Sequence, residues 1–80
     1  MKLKFTQYFI FTKTREDRKN IKEEWILETI LNPIKKEVQD DKRIRYWAKI
    51  SDAENRYLRV IVLEDGVTVH NAFFDRSFKE

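Results

Sequence analysis

The stretch VTVHNAFFDRSF, residues 67 to 78, carries His70, the only histidine of an 80-residue chain with no cysteine, one glycine and one proline. An imidazole titrates near pH 6.5 or so, which makes His70 the natural acid or base of this chain near neutrality. Around it in the strand pattern fall the cations Arg43, Arg45, Lys49 and Arg59 and the rings Trp47, Tyr57 and Phe74. Guanidinium groups pair with phosphates and flat rings stack on bases, so cations interleaved with aromatics suit a single-stranded nucleic acid. The plainer alternative is a solvated sheet face, on which Trp47 over Arg59 is an ordinary cation–π pair covering apolar surface.

Other constellations carry less. With no thiolate and one imidazole, neither a disulfide framework nor a zinc site can be built, and no metal or cofactor is expected. Glu23, Glu24 and Glu28, with Asp40 and Asp41, are accounted for by helix capping, a solvated helix face and a hairpin turn. Arg15, Arg18, Lys19 and Lys22 form a basic cluster of the kind that usually faces solvent. Seventeen basic and 14 acidic residues leave a net charge of +3, too small to identify a partner.

The elements that must position these residues read as one α+β string. KLKFTQYFIFTK alternates from Leu3 through Phe5, Gln7, Phe9 and Phe11 and predicts a first strand. TREDRKN predicts a short helical turn with Thr14 as N-cap and Asp17 completing a capping box. IKEEWILETILNP predicts a helix capped by Asn20, with Glu23 reaching back, an apolar stripe of Ile26, Leu27, Ile30 and Leu31, and a stop at Pro33. KKEVQ, RIRYWAKI, RYLRVIVLE and the segment after Asp65-Gly66 predict four further strands.

Taking Asp65 and Gly66 as a two-residue turn pairs Glu64 with Val67, Val62 with Val69, Val60 with Asn71 and Leu58 with Phe73. Leu58, Val60, Val62, Val69 and Phe73 then face the helices, Ala48 lies opposite Leu58, and Tyr46 opposite Val60. The outer face gains the rows Arg45–Ile61–His70, Trp47–Arg59–Ala72 and Lys49–Tyr57–Phe74. Asn71 becomes the odd member of the core face, in need of a helix end or loop backbone as partner.

Length sets one domain over residues 1–80, able to bury roughly 60–65% of the unfolded chain's surface. No apolar run approaches a membrane span and nothing resembles a signal peptide, so a soluble cytoplasmic protein is expected.

The order TREDRKNIKEEWILETILNP, RIRYW, YLRVIVLEDG and NAFFDRSFK resembles a family of small bacterial domains of unknown function grouped with the RelE and BrnT toxins of toxin–antitoxin systems. Arg15, Lys19 and Ile21 match the family's arginine, basic and isoleucine positions, whereas Asn20 stands for its glycine and Phe11 for its histidine. The departure at Phe11 removes a candidate catalytic group. The resemblance implies an antiparallel sheet of four to five strands with two N-terminal helices on one face, in the order β-α-α-β-β-β-β. It also implies mRNA cleavage without a metal, free or on the ribosome, restrained by a small antitoxin-like protein. Such cleavage needs a group to take the 2′-hydroxyl proton, one to protonate the leaving 5′-oxygen, and positive charge at the phosphate. His70, Arg59 and Arg76 are the candidates for these catalytic roles, and Arg43, Arg45, Trp47, Lys49 and Tyr57 for RNA binding. The alternatives are a non-catalytic module of the same fold that pairs with a small partner protein, and a homodimer through an edge strand such as KKEVQ or the first strand.

Overall fold

A computed structural model describes residues 1–16 and 18–80. The elements are β1 (Lys4–Phe5), α1 (Gln7–Thr12), α2 (Glu23–Leu31), β2 (Lys35–Val38), β3 (Ile44–Ile50), a 3₁₀ turn (Ser51–Ala53), β4 (Arg56–Val62) and β5 (Thr68–Phe74). They form one five-stranded sheet in the order β1-β5-β4-β3-β2. The sheet is mixed rather than wholly antiparallel, because β1 runs parallel to β5, with Lys4 opposite Thr68 and Phe5 opposite Val69. The expected α+β class and element order hold; the expected antiparallel sheet is corrected at this one edge.

The first strand is also shorter than its alternation predicts. Thr6 takes an extended conformation and its side chain accepts a hydrogen bond from the Phe9 amide, which starts a helix where the apolar pattern continues as a strand. A single N-cap therefore overrides a period of two. Residues 14 to 16 and 18 to 20 form turns rather than a helix. The Thr14 hydroxyl donates to the Phe11 carbonyl at 2.8 Å, closing α1 instead of opening a new helix; Asp17, its expected capping partner, lies outside the described residues. The second helix begins at Glu23 with Lys22 at the N-cap and no side-chain bond there, so the expected Asn20 cap does not form. Ile26 and Ile30 are buried as the stripe predicts, while Leu31 is exposed.

The β3–β4 register is the expected one, with Tyr46 opposite Val60 and Ala48 opposite Leu58. Between β4 and β5 the pairing of Val62 with Val69 also holds, but the strand then shifts by one residue. His70 is the extra residue of this β-bulge, so Ile61 faces Asn71, Val60 faces Ala72, Arg59 faces Phe73 and Leu58 faces Phe74. The Val60–Asn71 and Leu58–Phe73 pairings expected from the turn are thereby corrected. The turn itself is longer than two residues. Leu63 N–H donates to the Thr68 carbonyl and Gly66 N–H to the Leu63 carbonyl. Gly66 sits at φ +76°, where a side chain would be strained. Asp65 accepts from the Val67 and Thr68 amides, fixing the start of β5.

The core lies between α2, α1 and one sheet face. Ile26, Leu58, Val60, Val62 and Val69 are essentially inaccessible, with Phe9, Tyr46, Ala48, Ile50 and Ala72 around them. The bulge explains why Ala72, not Asn71, enters this core: one added residue exchanges the two faces of the remaining strand. Among the described residues no helix is long and apolar enough to cross a membrane.

Candidate functional site

His70 stands at the bulge, just past the point where β1 stops covering β5. Its half-buried ring is held by α1. Nδ1 shares a hydrogen bond of 3.1 Å with Thr6 Oγ1, and the ring stacks on Tyr8 at 4.9 Å between centroids and 20° between planes. Thr6 Oγ1 also accepts from the Phe9 amide at 3.0 Å, so the residue that starts α1 orients the imidazole. With the ring hydrogen on Nδ1 and donated to Thr6 Oγ1, Nε2 is the nitrogen able to accept a proton. Burial lowers the pKa of His70, the charge of Arg43 lowers it further, and Asp41 opposes them. The neutral imidazole therefore predominates at neutral pH, the form that accepts a proton.

The sheet face next to it is not open. Trp47 is only 5% exposed. The segment after β5 folds back over it: Phe78 stacks on the indole at 5.2 Å, and Trp47 Nε1 donates to Asp75 Oδ2 at 3.1 Å. The guanidinium of Arg59 lies 5.4 Å from the Trp47 ring and 5.3 Å from the Phe73 ring, with Nη1 3.6 Å from Asp75 Oδ2. Burial pushes the Asp75 carboxyl up. Hydrogen bonds from Trp47 and from the Ser77 hydroxyl and amide, with the charge of Arg59, outweigh that and hold its pKa below the usual range. Tyr57 packs against Phe78 and donates its hydroxyl to Glu80 at 2.7 Å.

The remaining candidates are spread out. Arg45 pairs with Glu37 at 3.4 Å, and Arg43 with Asp41 at 3.6 Å. Lys49 is exposed on β3, opposite Tyr57. Arg59 is opposite Phe73, three residues beyond His70, and at about 3.3 Å per residue that is roughly 10 Å along the strand. Arg76 is exposed beyond the end of β5, at a cleft with Arg18 and Arg56. The three candidate catalytic residues thus do not meet. The structure instead gathers Trp47, Tyr57 and Arg59 under the final segment, and His70 with Thr6, Tyr8 and the charge of Arg43. The row Arg45–Ile61 ends in Asn71 and the row Trp47–Arg59 in Phe73, not in His70 and Ala72.

Asn71, freed from the core, accepts from Arg18 Nη1 at 2.8 Å and from the Ala72 amide at 3.0 Å. Thr6, Tyr8, Asp75 and Phe78 were absent from the candidates drawn from sequence. The first two were hidden inside an expected strand. The last two had one signal, an outward tryptophan followed much later by an acidic and an aromatic residue able to cover it. Among the described residues no group of three or more His, Cys, Asp or Glu side chains could hold a metal ion. No family model, curated protein or solved structure matches the chain, and the functional reading rests on these side chains.

Proposed function

We propose that this domain is a toxin-like endoribonuclease that cleaves RNA without a metal, with His70 as its proton-transfer group. One observation carries the reading: an imidazole at a β-bulge, oriented through Nδ1 by Thr6, braced by Tyr8, and biased to its neutral form. A base held by a third group is the arrangement that general-base catalysis requires, and bulges are over-represented beside active sites. In this reaction Nε2 takes the proton of a ribose 2′-hydroxyl as that oxygen attacks the adjacent phosphorus. The bond to the 5′-oxygen breaks, the leaving oxygen takes a proton from solvent, and a 2′,3′-cyclic phosphate remains. In this reading Arg43, whose charge acts on His70, exchanges its Asp41 partner for the phosphate. The element order β-α-α-β-β-β-β supports the kinship with RelE- and BrnT-type toxins, and a small antitoxin-like protein is the partner this reading calls for.

The test is cleavage of a labelled RNA in EDTA, with and without ribosomes, together with growth after expression. His70→Ala and His70→Gln should each lose about 10²- to 10⁴-fold in rate while remaining folded. Normal cleavage by both variants removes His70 from the chemistry. A second reading has its own observation: Trp47 and Arg59, the best base-stacking and phosphate-holding candidates on the sheet, are occupied by Phe78 and Asp75 of the same chain. That arrangement favours a non-catalytic module that pairs with a small protein. Wild-type protein that neither cleaves RNA nor arrests growth would decide for it.

A further inference from the structure

β1 covers β5 only at Thr68 and Val69, so beyond the bulge the outer edge of β5 faces the turns between α1 and α2. Between them lies a cleft of about 350 Å³ lined by Arg18, Asn20, Arg56, Phe73, Phe74 and Arg76. This volume is at the lower end of small-ligand sites, which span about 300–1,000 Å³, and exceeds what a single small anion requires. Two of its guanidinium groups are braced by rings. Arg56 lies over Phe74 at 4.0 Å, with Nε donating to the Ala53 carbonyl at 3.0 Å, and Arg18 lies over Phe73 at 5.3 Å. Arg76 projects from the turn after β5 and makes no ion pair among the described residues. The carboxylate lining the cleft among the described residues, Glu16, is engaged by Lys19 at 3.2 Å.

Arg56 and Arg76 against one engaged carboxylate make the cleft a site for an anion. Planar guanidinium groups bind phosphate oxygens in pairs, and the outer face of a guanidinium stacked on a phenylalanine, as Arg56 is on Phe74, can take a nucleobase. Asn20 adds an amide that can both donate to and accept from a base edge. We propose that this cleft binds a 5′-phosphorylated nucleotide, with Arg56 and Arg76 on the phosphate and the base lying along the arginine and aromatic surface. The site is distinct from the His70 corner and does not depend on whether His70 cleaves RNA. A free mononucleotide and the 5′ end of an RNA present the same chemistry.

The test is calorimetric titration of the full chain at low salt with adenosine 5′-monophosphate, adenosine, and a trinucleotide carrying either a 5′-phosphate or a 5′-hydroxyl. The monophosphate should bind and adenosine should bind at least tenfold more weakly. Arg56→Gln and Arg76→Gln should each weaken the monophosphate by about tenfold or more, the usual worth of a charge-assisted hydrogen bond. Lys35→Gln, which removes the same charge from the far edge strand, should leave binding unchanged. The phosphorylated trinucleotide binding as well as the monophosphate identifies an RNA end as the source; its exclusion identifies a free nucleotide. No binding of the monophosphate, equal binding of adenosine, or equal weakening by Lys35→Gln overturns the proposal.

Discussion

Asp75 ties the final segment to the sheet, and its removal tests how that face is held. In Asp75→Ala, the Trp47 indole N–H, on a ring only 5% exposed, loses its acceptor at 3.1 Å. A buried donor left unsatisfied costs about 1–3 kcal/mol. Arg59 loses its carboxylate as well. With side chains 23% and 9% exposed and 3.6 Å between the charged atoms, that pair adds at most about 1 kcal/mol once solvent screening is allowed for. The two losses together predict a destabilisation of about 1–4 kcal/mol, a large share of the roughly 5–15 kcal/mol typical of a domain. Asp75→Asn removes the charge and keeps an oxygen for the indole, so it should cost about 1 kcal/mol or less. Urea unfolding at pH 7, followed by tryptophan fluorescence and circular dichroism, reads both. The carboxyl titrates below its ordinary value in the fold, so its contribution is present above the unfolded pKa of about 3.9 and is lost as pH falls through the folded value. The gap between wild type and Asp75→Asn should close over that acid range. Equal losses in the two variants would refute the reasoning, because they would mean that the charge on Arg59, and not the indole hydrogen bond, holds the segment down.

Val60 is fully buried, and Val60→Ala should cost about 1–3 kcal/mol; Arg59→Ala, which loses an ion pair and two ring contacts, should cost about 1 kcal/mol. A larger loss at Arg59 in urea unfolding would reverse the assignment of the two sheet faces. If RNA binds this face, Lys49→Gln should lower the slope of log K against log salt by about 0.7, whereas Arg45→Gln and Arg59→Gln should lower it less because Glu37 and Asp75 already compete for them; equal reductions for all three would mean those ion pairs open on binding. The lowered pKa of His70 means that the unfolded chain binds the proton first, so stability attributable to this residue is complete above about pH 6.5 and declines as pH falls below it. His70→Gln should remove that part of the acid slope, and proton NMR showing the ring titrating at or above 6.5 would contradict it.

Much of the architecture was legible because long strands obey one strict period. RIRYWAKI and RYLRVIVLE alternate cleanly, and their mutual register follows once the arginines are kept out of the core. The second helix was equally legible from Ile26, Ile30 and Pro33. What failed was each place where a single residue outweighs a pattern. Thr6 converts an alternating segment into a helix through one hydrogen bond. The bulge at His70 leaves no mark on the composition of the strand, yet it exchanges the faces of Asn71, Ala72, Phe73 and Phe74. The oddity of an asparagine facing the core was the trace of that shift. The candidate site was legible as residue types and not as neighbours. His70 stands out in the sequence as the lone imidazole, but its supports come from α1, and the rings and cations expected beside it are drawn toward the final segment.

The parallel pairing of Lys4 with Thr68 and Phe5 with Val69 joins segments 64 residues apart in the chain. Loop closure must be completed before such a contact returns any stability, so this edge carries a high closure cost. During synthesis β1 has no strand to pair with until β5 has left the ribosome. Thr6 and Tyr8 follow directly on β1, while His70 follows directly on its partners in β5. The corner around the imidazole thus needs both ends of the chain in place, and no emerging fragment that lacks β5 can possess it.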